Sequence, residues 1–396
     1  MAEKTSYKIS HILFLIFLVG FLVRIVFILL LGPHFYFDDE QEYWKMVNNF
    51  LSGKGLMVSE TLKAYRPPVY PLFIAILVKL GSGIVGIRIV QALISAVTSV
   101  LIYLLGRKVF SERVAILAGC ISSVYPFFIF YTGFLLTETL FIFLMVAAIL
   151  MFIRVFESDT SPLYGTIPGF ITGIAGLCRP TMEAFFPFAL VFILFSEGSY
   201  KKRLLKIFFA GLGFILILSP WVIRNFVVLG KFIPGTTMGG AVFWEGNNPY
   251  SEGGPCRYFP DGVWQIDESK RDSVFYKITI DYIKQDPVRF IKLLGKKFVR
   301  FWNVVLNASD YSSFFYRLVS VLSFGLLLPF FVIGLFIPPL DLKKAFLIGI
   351  IVFFTIFHMI FLASVRYRIA IEPFVILFAC QGFFWFLEHV KGIVNK

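Results

Sequence analysis

The sequence is poor in charge. Of 396 residues, 15% are Asp, Glu, Lys or Arg, where a soluble domain carries about a quarter. That shortage excludes a chain solvated on all sides. Cysteine is scarce too: Cys120, Cys178, Cys256 and Cys380 are the only four. Only Cys256 lies in a polar loop, and no pairing or metal-ligand spacing appears, which excludes a disulfide framework. Acidic residues are few, 24 against 37 Lys and Arg, for a formal net charge of +13. The basic residues come in short groups between apolar runs. That spacing argues against nucleic acid and for loops on the cytoplasmic side, near anionic headgroups. No internal repeat is found.

What is abundant is apolar. Hydrophobic residues make up 58% of the chain, and Phe alone occurs 50 times. The length would allow two or three soluble domains. Apolar runs recur almost to the C-terminus, however, so residues 1–396 read as a single membrane domain. Lys4 and Lys8 precede an apolar run from Ile12 to Leu31. That run is longer than the apolar part of a cleaved signal peptide and reads as a retained first helix.

Length and the positive-inside rule place spans at residues 12–31, 87–106, 114–131, 135–155, 165–178, 184–195, 204–223, 314–337, 345–362 and 369–389. The expected fold is thus all-α: a polytopic bundle of about ten transmembrane helices. Arg107, Lys108, Arg113, Arg154, the Lys201–Lys206 group, Lys343, Lys344, Lys391 and Lys396 then share the cytoplasmic side with the N-terminus. Two long loops, 32–68 and 224–313, face outward. Residues 69–80 are apolar but too short to span and are expected along the outer surface. In the first loop Tyr43, Met46, Val47, Phe50 and Leu51 repeat at helical spacing. In the second, Asp286-Pro287 starts a helix. Phe290, Ile291, Leu294, Phe298 and Phe301 form one face of it, and Arg289, Lys292, Lys296 and Arg300 form another.

Some patterns mislead. Residues 81–86 match G-x-G-x-x-G, but no strand precedes them, so they read as a link between two helices. Gly165, Gly169 and Gly173 read as close helix packing. Asn307-Ala308-Ser309 fits a glycosylation sequon, a triplet common by chance.

The polar residues that carry chemistry gather at outward ends of spans. Asp38, Asp39 and Glu40 follow the first span, and Glu138 sits inside an apolar stretch. Arg66, Arg179, Arg224, Arg366 and Arg368 complete the set. Charges at membrane depth face a cavity or a partner. Each has a plainer reading: Asp39 with Glu42 as a capping box, Glu138 as an ion-pair partner, a single arginine as a headgroup anchor. His34 near the acidic group is weak evidence for a metal, and His358 reads as a packed helix residue.

The ordered motifs resemble GT-C glycosyltransferases of the protein-mannosyltransferase and aminoarabinose-transferase type (glycosyltransferase family 39-like), over nearly the whole length. They are Asp39-Glu40-Gln41-Glu42-Tyr43, Tyr65-Arg66-Pro67-Pro68-Val69-Tyr70-Pro71, Thr137-Glu138-Thr139-Leu140 and Cys178-Arg179-Pro180, then Pro220-Trp221-Val222-Ile223-Arg224-Asn225. Gly239-Gly240, Glu245-Gly246-Asn247-Asn248-Pro249 and Arg366-Tyr367-Arg368-Ile369-Ala370-Ile371-Glu372-Pro373 follow. The resemblance implies inverting sugar transfer from a polyprenyl-phosphate donor to an acceptor hydroxyl of a glycan, lipid or protein. It implies a cytoplasmic (plasma) membrane protein with its active site outward, and membrane lipids as partners. Asp39 would be the base, with Glu40 beside it in the catalytic motif. Arg366 and Arg368, then Arg224, Arg66 and Arg179, would hold the donor phosphate, with Tyr70 in the same substrate-binding set. Glu138 would orient the acceptor, hold an arginine or help bind a divalent metal ion, and metal dependence stays open. Asn247 and Asn248 would lie in a lid. A lipid-linked sugar flippase or transporter is the rival, and a non-catalytic assembly protein a third reading.

Overall fold

The computed structural model describes residues 2–307 and 313–394, with side chains from 9 to 307 and 313 to 390. Among the described residues there is no strand, only one isolated bridge between Ser59 and Leu62. The sequon at Asn307-Ala308-Ser309 runs outside them. All four cysteines are free.

Among the described residues, seven helices are long and apolar enough to cross a membrane: Ile9–Leu31, Ile84–Val109, Glu138–Val155, Tyr200–Leu229, Phe314–Leu335, Leu342–Ile360 and Val365–Val390. Helices Glu112–Ser123 and Pro126–Thr132, bent by 45°, count as an eighth when taken as one span. The chain is an integral, multi-pass membrane protein. The fifth and sixth expected spans, 165–178 and 184–195, are each too short as helices to cross alone. They form helices Thr166–Gly176 and Thr181–Leu194, of 11 and 14 residues. At 1.5 Å per residue these reach about 17 and 21 Å, short of a hydrocarbon core of about 30 Å.

Contacts place this pair. The two helices run out and back along helix Glu138–Val155, with their open end beside its last residues and their tip beside its first. At the open end, the Glu197 amide donates to the Phe156 carbonyl at 3.1 Å and Lys206 Nζ to the Glu157 carbonyl at 2.9 Å. At the tip stands Cys178-Arg179-Pro180, where Arg179 reaches Thr137. Because the pair returns to the end where it began, the later loops keep the sidedness that ten alternating spans would give. The glycines of the first arm permit its closeness to helix Tyr200–Leu229. A Cβ on Gly169 would lie 2.0 Å from the Ala210 carbonyl oxygen, and one on Gly213 2.4 Å from that of Thr166. Helices Leu326–Leu335 and Glu372–Val394 interlock likewise through Gly334 and Gly382.

One charge lies inside the first span. Arg24 is fully buried and donates to the carbonyls of Gly20 (2.8 Å), Ser122 (3.3 Å) and Ser123 (2.6 Å) and to Ser95 Oγ (2.8 Å). Pro126 has no amide proton to offer the Ser122 carbonyl, so the bend frees main-chain oxygens there. The guanidinium satisfies them.

Both long loops carry helices. Helix Asp38–Leu51 buries Tyr43, Met46 and Val47, while Phe50 and Leu51 stay exposed. Helix Val69–Lys79, of 11 residues, is linked to the Ile84–Val109 span through the glycine-rich 81–83 turn. Helix Pro287–Phe301 forms as its Asp-Pro start suggests, with the Asp286 side chain accepting from the Arg289 amide. It turns Leu293, Lys297 and Phe301 inward and leaves Val288, Ile291, Phe298 and Val299 exposed. The loops are tied together. Glu268 accepts from the amides of Lys63 and Ala64 and from Thr237 Oγ1. Arg224 donates to the carbonyls of Lys63 (2.9 Å) and Leu56 (3.0 Å).

Candidate active site

Asp39 and Glu40 are neighbours with different surroundings, because successive helical residues point about 100° apart. Glu40 is fully buried. It caps its own helix, accepting from the amides of Tyr36 (2.6 Å) and Phe37 (3.0 Å), and it also accepts from the Leu135 amide at 2.8 Å. The cap is therefore Glu40, not an Asp39/Glu42 pair. Asp39 is left to face a cavity.

That cavity, of about 440 Å³, lies between helix Asp38–Leu51, the Tyr65–Pro67 segment, the Cys178-Arg179-Pro180 tip, the Thr236–Val242 region and Arg366-Tyr367. Its rim carries a chain of alternating charge. Glu42 accepts from Arg66, whose Nη2 also donates to Asp39 Oδ1 at 2.7 Å. Asp39 Oδ2 accepts from Arg366 Nη1 at 2.9 Å. Arg366 Nε in turn donates to Glu138 Oε1, which also takes Arg179 Nη2 at 2.6 Å. Arg179 Nε ends the chain on Thr137 Oγ1 at 2.9 Å. Three carboxylates and three guanidiniums thus join segments up to 327 residues apart in sequence. Arg66 packs on the rings of Tyr43 and Tyr65, and Arg179 on those of Phe141 and Tyr367.

Burial alone would raise the Asp39 pKa, but the guanidiniums of Arg66 and Arg366 outweigh it and hold the carboxyl well below the usual range. Asp39 is therefore an anion at any physiological pH, with both oxygens engaged. Burial pushes the phenols of Tyr43 and Tyr276 up to about 12, so both stay neutral. Glu138 is 1% exposed, and its Oε2 has no hydrogen-bond partner.

Of the residues singled out from the sequence, Asp39, Arg66, Glu138, Arg179 and Arg366 come together. The rest stand apart, each bonded within the protein. Tyr70 is buried, donating to Gln91 Oε1 at 2.7 Å with its ring against Tyr43. Arg224 pins the first loop. Asn247 bonds the Phe243 and Ile360 carbonyls and accepts from Lys297, and Asn248 bonds the Glu245 and Cys256 carbonyls. Arg368 is fully buried, paired with Glu372 at 2.9 Å and stacked on Phe324. His358 does reach the cavity wall, packed between Phe301 and Tyr367. The sequence reading did not assign cavity roles to Tyr65, Thr137, Glu183, Tyr276 and Tyr367. Glu183 could have been found as the lone charge in an apolar helix; Tyr276 carries no such signal.

A divalent ion does not fit this arrangement. Among the described residues no group of three or more His, Cys, Asp or Glu could hold a metal, and guanidiniums already occupy the oxygens of Asp39 and one oxygen of Glu138.

A second cavity, of about 470 Å³, opens beside the first. Its wall is mostly apolar, with Phe27, Phe127, Phe130, Leu306 and Val319, and Arg366 lines both cavities.

Comparison with known proteins follows this layout. A sequence model of the family described as Dolichyl-phosphate-mannose-protein mannosyltransferase matches residues 65–223. No curated protein matches the chain. Among solved structures, the chain is similar to the archaeal oligosaccharyltransferase AglB from Archaeoglobus fulgidus in complex with an inhibitory peptide and a dolichol-phosphate. The TM-score is 0.61 and the identity 15%, over 99% of this chain and 52% of that chain. It is similar to the A. fulgidus enzyme in complex with Zn and sulfate at TM-score 0.60 and 17% identity, over 95% and 49%. A fainter likeness, TM-score 0.46 and 15% identity over 95% and 77%, is to ArnT from Cupriavidus metallidurans bound to undecaprenyl phosphate, and no argument rests on it. This chain spans about half the length of the AglB chains it matches. The fold is shared with these AglB chains.

Proposed function

We propose that this chain is an inverting glycosyltransferase, moving a sugar from a polyprenyl-phosphate carrier to an acceptor hydroxyl at the outer face of a cytoplasmic membrane. Residues 1–396 act as one GT-C-like domain, with loops 32–68 and 224–313 closing over the site. The observation that carries the reading is the position of Arg366. It lines both a mostly apolar cavity suited to a prenyl tail and the charged cavity where sugar chemistry would occur. The family model over residues 65–223 and the dolichol-phosphate bound to AglB support the same carrier class.

The chemistry follows from the ion-pair chain. The carrier phosphate competes with Asp39 and Glu138 for Arg366, since a dianionic or monoanionic phosphate matches a guanidinium fork. An Asp39 oxygen is thereby released. It takes the proton of the acceptor hydroxyl as that oxygen attacks the anomeric carbon from the face opposite the carrier. The bond from the anomeric carbon to the phosphate oxygen breaks, and its electron pair stays on the phosphate. Arg366, with Arg66 and Arg179 beside it, stabilises the charge that develops there. Glu138 holds Arg179 and Arg366 in place. No step requires a metal.

The test is sugar transfer to an envelope extract by purified protein in lipid nanodiscs, using radiolabelled polyprenyl-phosphate sugars. Transfer by wild type and none by Asp39→Asn is the expected result. Passage of the carrier across vesicle membranes without transfer would overturn the reading in favour of a flippase.

A further inference from the structure

One carboxylate in the cavity wall takes no part in the ion-pair chain. Glu183 is the single charged residue of helix Thr181–Leu194, whose sequence is otherwise strongly apolar. A charge in such a helix faces a cavity or a partner. Glu183 faces the cavity, and its Oε1 is buried with no hydrogen-bond partner.

The surroundings leave room for this carboxylate and supply it with no donor. A Cβ on Gly235 would lie 2.8 and 3.0 Å from its two oxygens, and one on Gly176 would lie 2.7 Å from its Cγ. Two glycines from separate segments thus clear the space that Glu183 fills. Gly235 is itself fixed, because Trp221 Nε1 donates to its carbonyl at 2.7 Å. The nearby threonine hydroxyl of Thr236 is already spent on the Tyr65 carbonyl. A desolvated acceptor without a donor is destabilising on its own, so a group that arrives with its ligand must complete it. The guanidiniums stand along the Asp39 side of the cavity and match a phosphate. Glu183 is the acceptor that the same cavity offers to donors. A carboxyl group has two oxygens and hydrogen-bonds two hydroxyls at once, which a sugar ring presents on adjacent carbons.

We infer that Glu183 binds hydroxyl groups of a sugar seated in this cavity, on the transferred sugar or on the acceptor, and thereby selects which sugar is used. The inference rests on the glycosyltransferase reading above. It assigns the two ends of one cavity to different parts of the substrate: arginines for the phosphate, Glu183 for the sugar. A site built to accept from a hydroxyl rejects a sugar that lacks it or turns it the other way.

The experiment compares wild type, Glu183→Gln and Glu183→Leu as full chains in nanodiscs. Binding is measured for bare undecaprenyl phosphate and for a panel of undecaprenyl-phosphate pentoses and hexoses, with transfer to an envelope extract alongside. Bare carrier should bind all three proteins equally. The best sugar-bearing carrier should bind Glu183→Leu on the order of ten- to a hundredfold more weakly, with Glu183→Gln between. If Glu183 reads the acceptor instead, carrier affinities hold and the acceptor KM rises by a similar factor. Thermal unfolding of Glu183→Leu should occur at the same or a higher temperature, because no partner is lost. Sugar-bearing affinities and acceptor KM both within twofold of wild type would overturn the inference. So would a fall in unfolding temperature, the mark of a structural carboxylate. Failure of bare carrier to bind wild type would sink the transferase reading, and this inference with it; that failure is told apart because it shows before any substitution is made.

Discussion

Replacing Arg366 by lysine separates a phosphate-binding role from simple anchoring in lipid headgroups. The guanidinium bridges two carboxylates, giving Nη1 to Asp39 and Nε to Glu138. Lysine keeps the charge but offers one compact ammonium on an unbranched stem, so it can serve one of the two and cannot present a fork to a phosphate. Hydrogen bonds to charged groups contribute about 1.5–3 kcal/mol each. Losing one that persists into the transition state should lower kcat/KM by roughly 10- to 150-fold, at 1.36 kcal/mol per factor of ten. Because the fork contacts the leaving group, part of the loss should appear in kcat rather than only in KM. The assay is initial-rate transfer from a synthetic polyprenyl-phosphate sugar, with binding of the bare carrier measured in parallel. A headgroup anchor would be served equally by lysine. Rates within twofold of wild type for Arg366→Lys would therefore refute the assignment of Arg366 to the donor phosphate.

Other consequences can be checked in the same preparations. Asp39→Asn should reduce transfer by about 10²–10⁴-fold while leaving the unfolding temperature near that of wild type. The depressed Asp39 pKa makes a pH prediction. Its carboxylate stays ionised until pH falls through the folded value, so the wild-type rate should show no acid limb from Asp39 between about pH 5 and 8. Arg66→Gln removes one of the two cations that depress it, so an acid limb should move upward in pH in the kcat/KM profile. Glu138→Ala leaves Arg179 and Arg366 without their shared anion in a water-poor site, a loss of about 3–5 kcal/mol for a broken buried pair. Its unfolding temperature in nanodiscs should fall well below that of Asp39→Asn. Gly169→Ala drives a methyl group against the Ala210 carbonyl; overpacking of this kind costs about 1–3 kcal/mol. Differential scanning of the purified variant should show the loss.

The residues at the site were legible in the sequence by type and depth, less so by direction. Asp39, Arg66, Glu138, Arg179 and Arg366 announce themselves because charge at the ends of apolar spans is costly unless it is used. The same argument picked out Arg224 and Arg368, which the fold spends on main-chain carbonyls and on Glu372. Span-end position gives height along the membrane normal but not the side of the helix, and only the side decides between cavity and core. Glu40 shows this within a single turn of Asp39. The number of spans is hard to read for a different reason. Apolar length marks Thr166–Gly176 and Thr181–Leu194 as buried in the bundle, and contacts such as Glu197 to Phe156 show where the second of them ends. Lys297, buried in a helix that patterning divides into basic and apolar faces, needed the structure because its partners are the Asn247 side chain and the carbonyls of residues 360 and 361.

Arg24 bears on how the chain reaches its membrane. Its guanidinium sits in helix Ile9–Leu31 and has one acceptor there, the Gly20 carbonyl, yet its other acceptors lie on Ser95 and Ser122–Ser123, at least seventy residues downstream. A helix carrying an unmatched arginine is a reluctant passenger in lipid. The segment with Arg24 therefore has to linger at the insertion machinery, or at the bilayer surface, until the two segments that carry these acceptors emerge and dock against it. Biogenesis would then proceed by release of a three-helix unit. Arg24→Leu should let that helix partition early and alone, and the bend at Pro126 would be left with bare carbonyls.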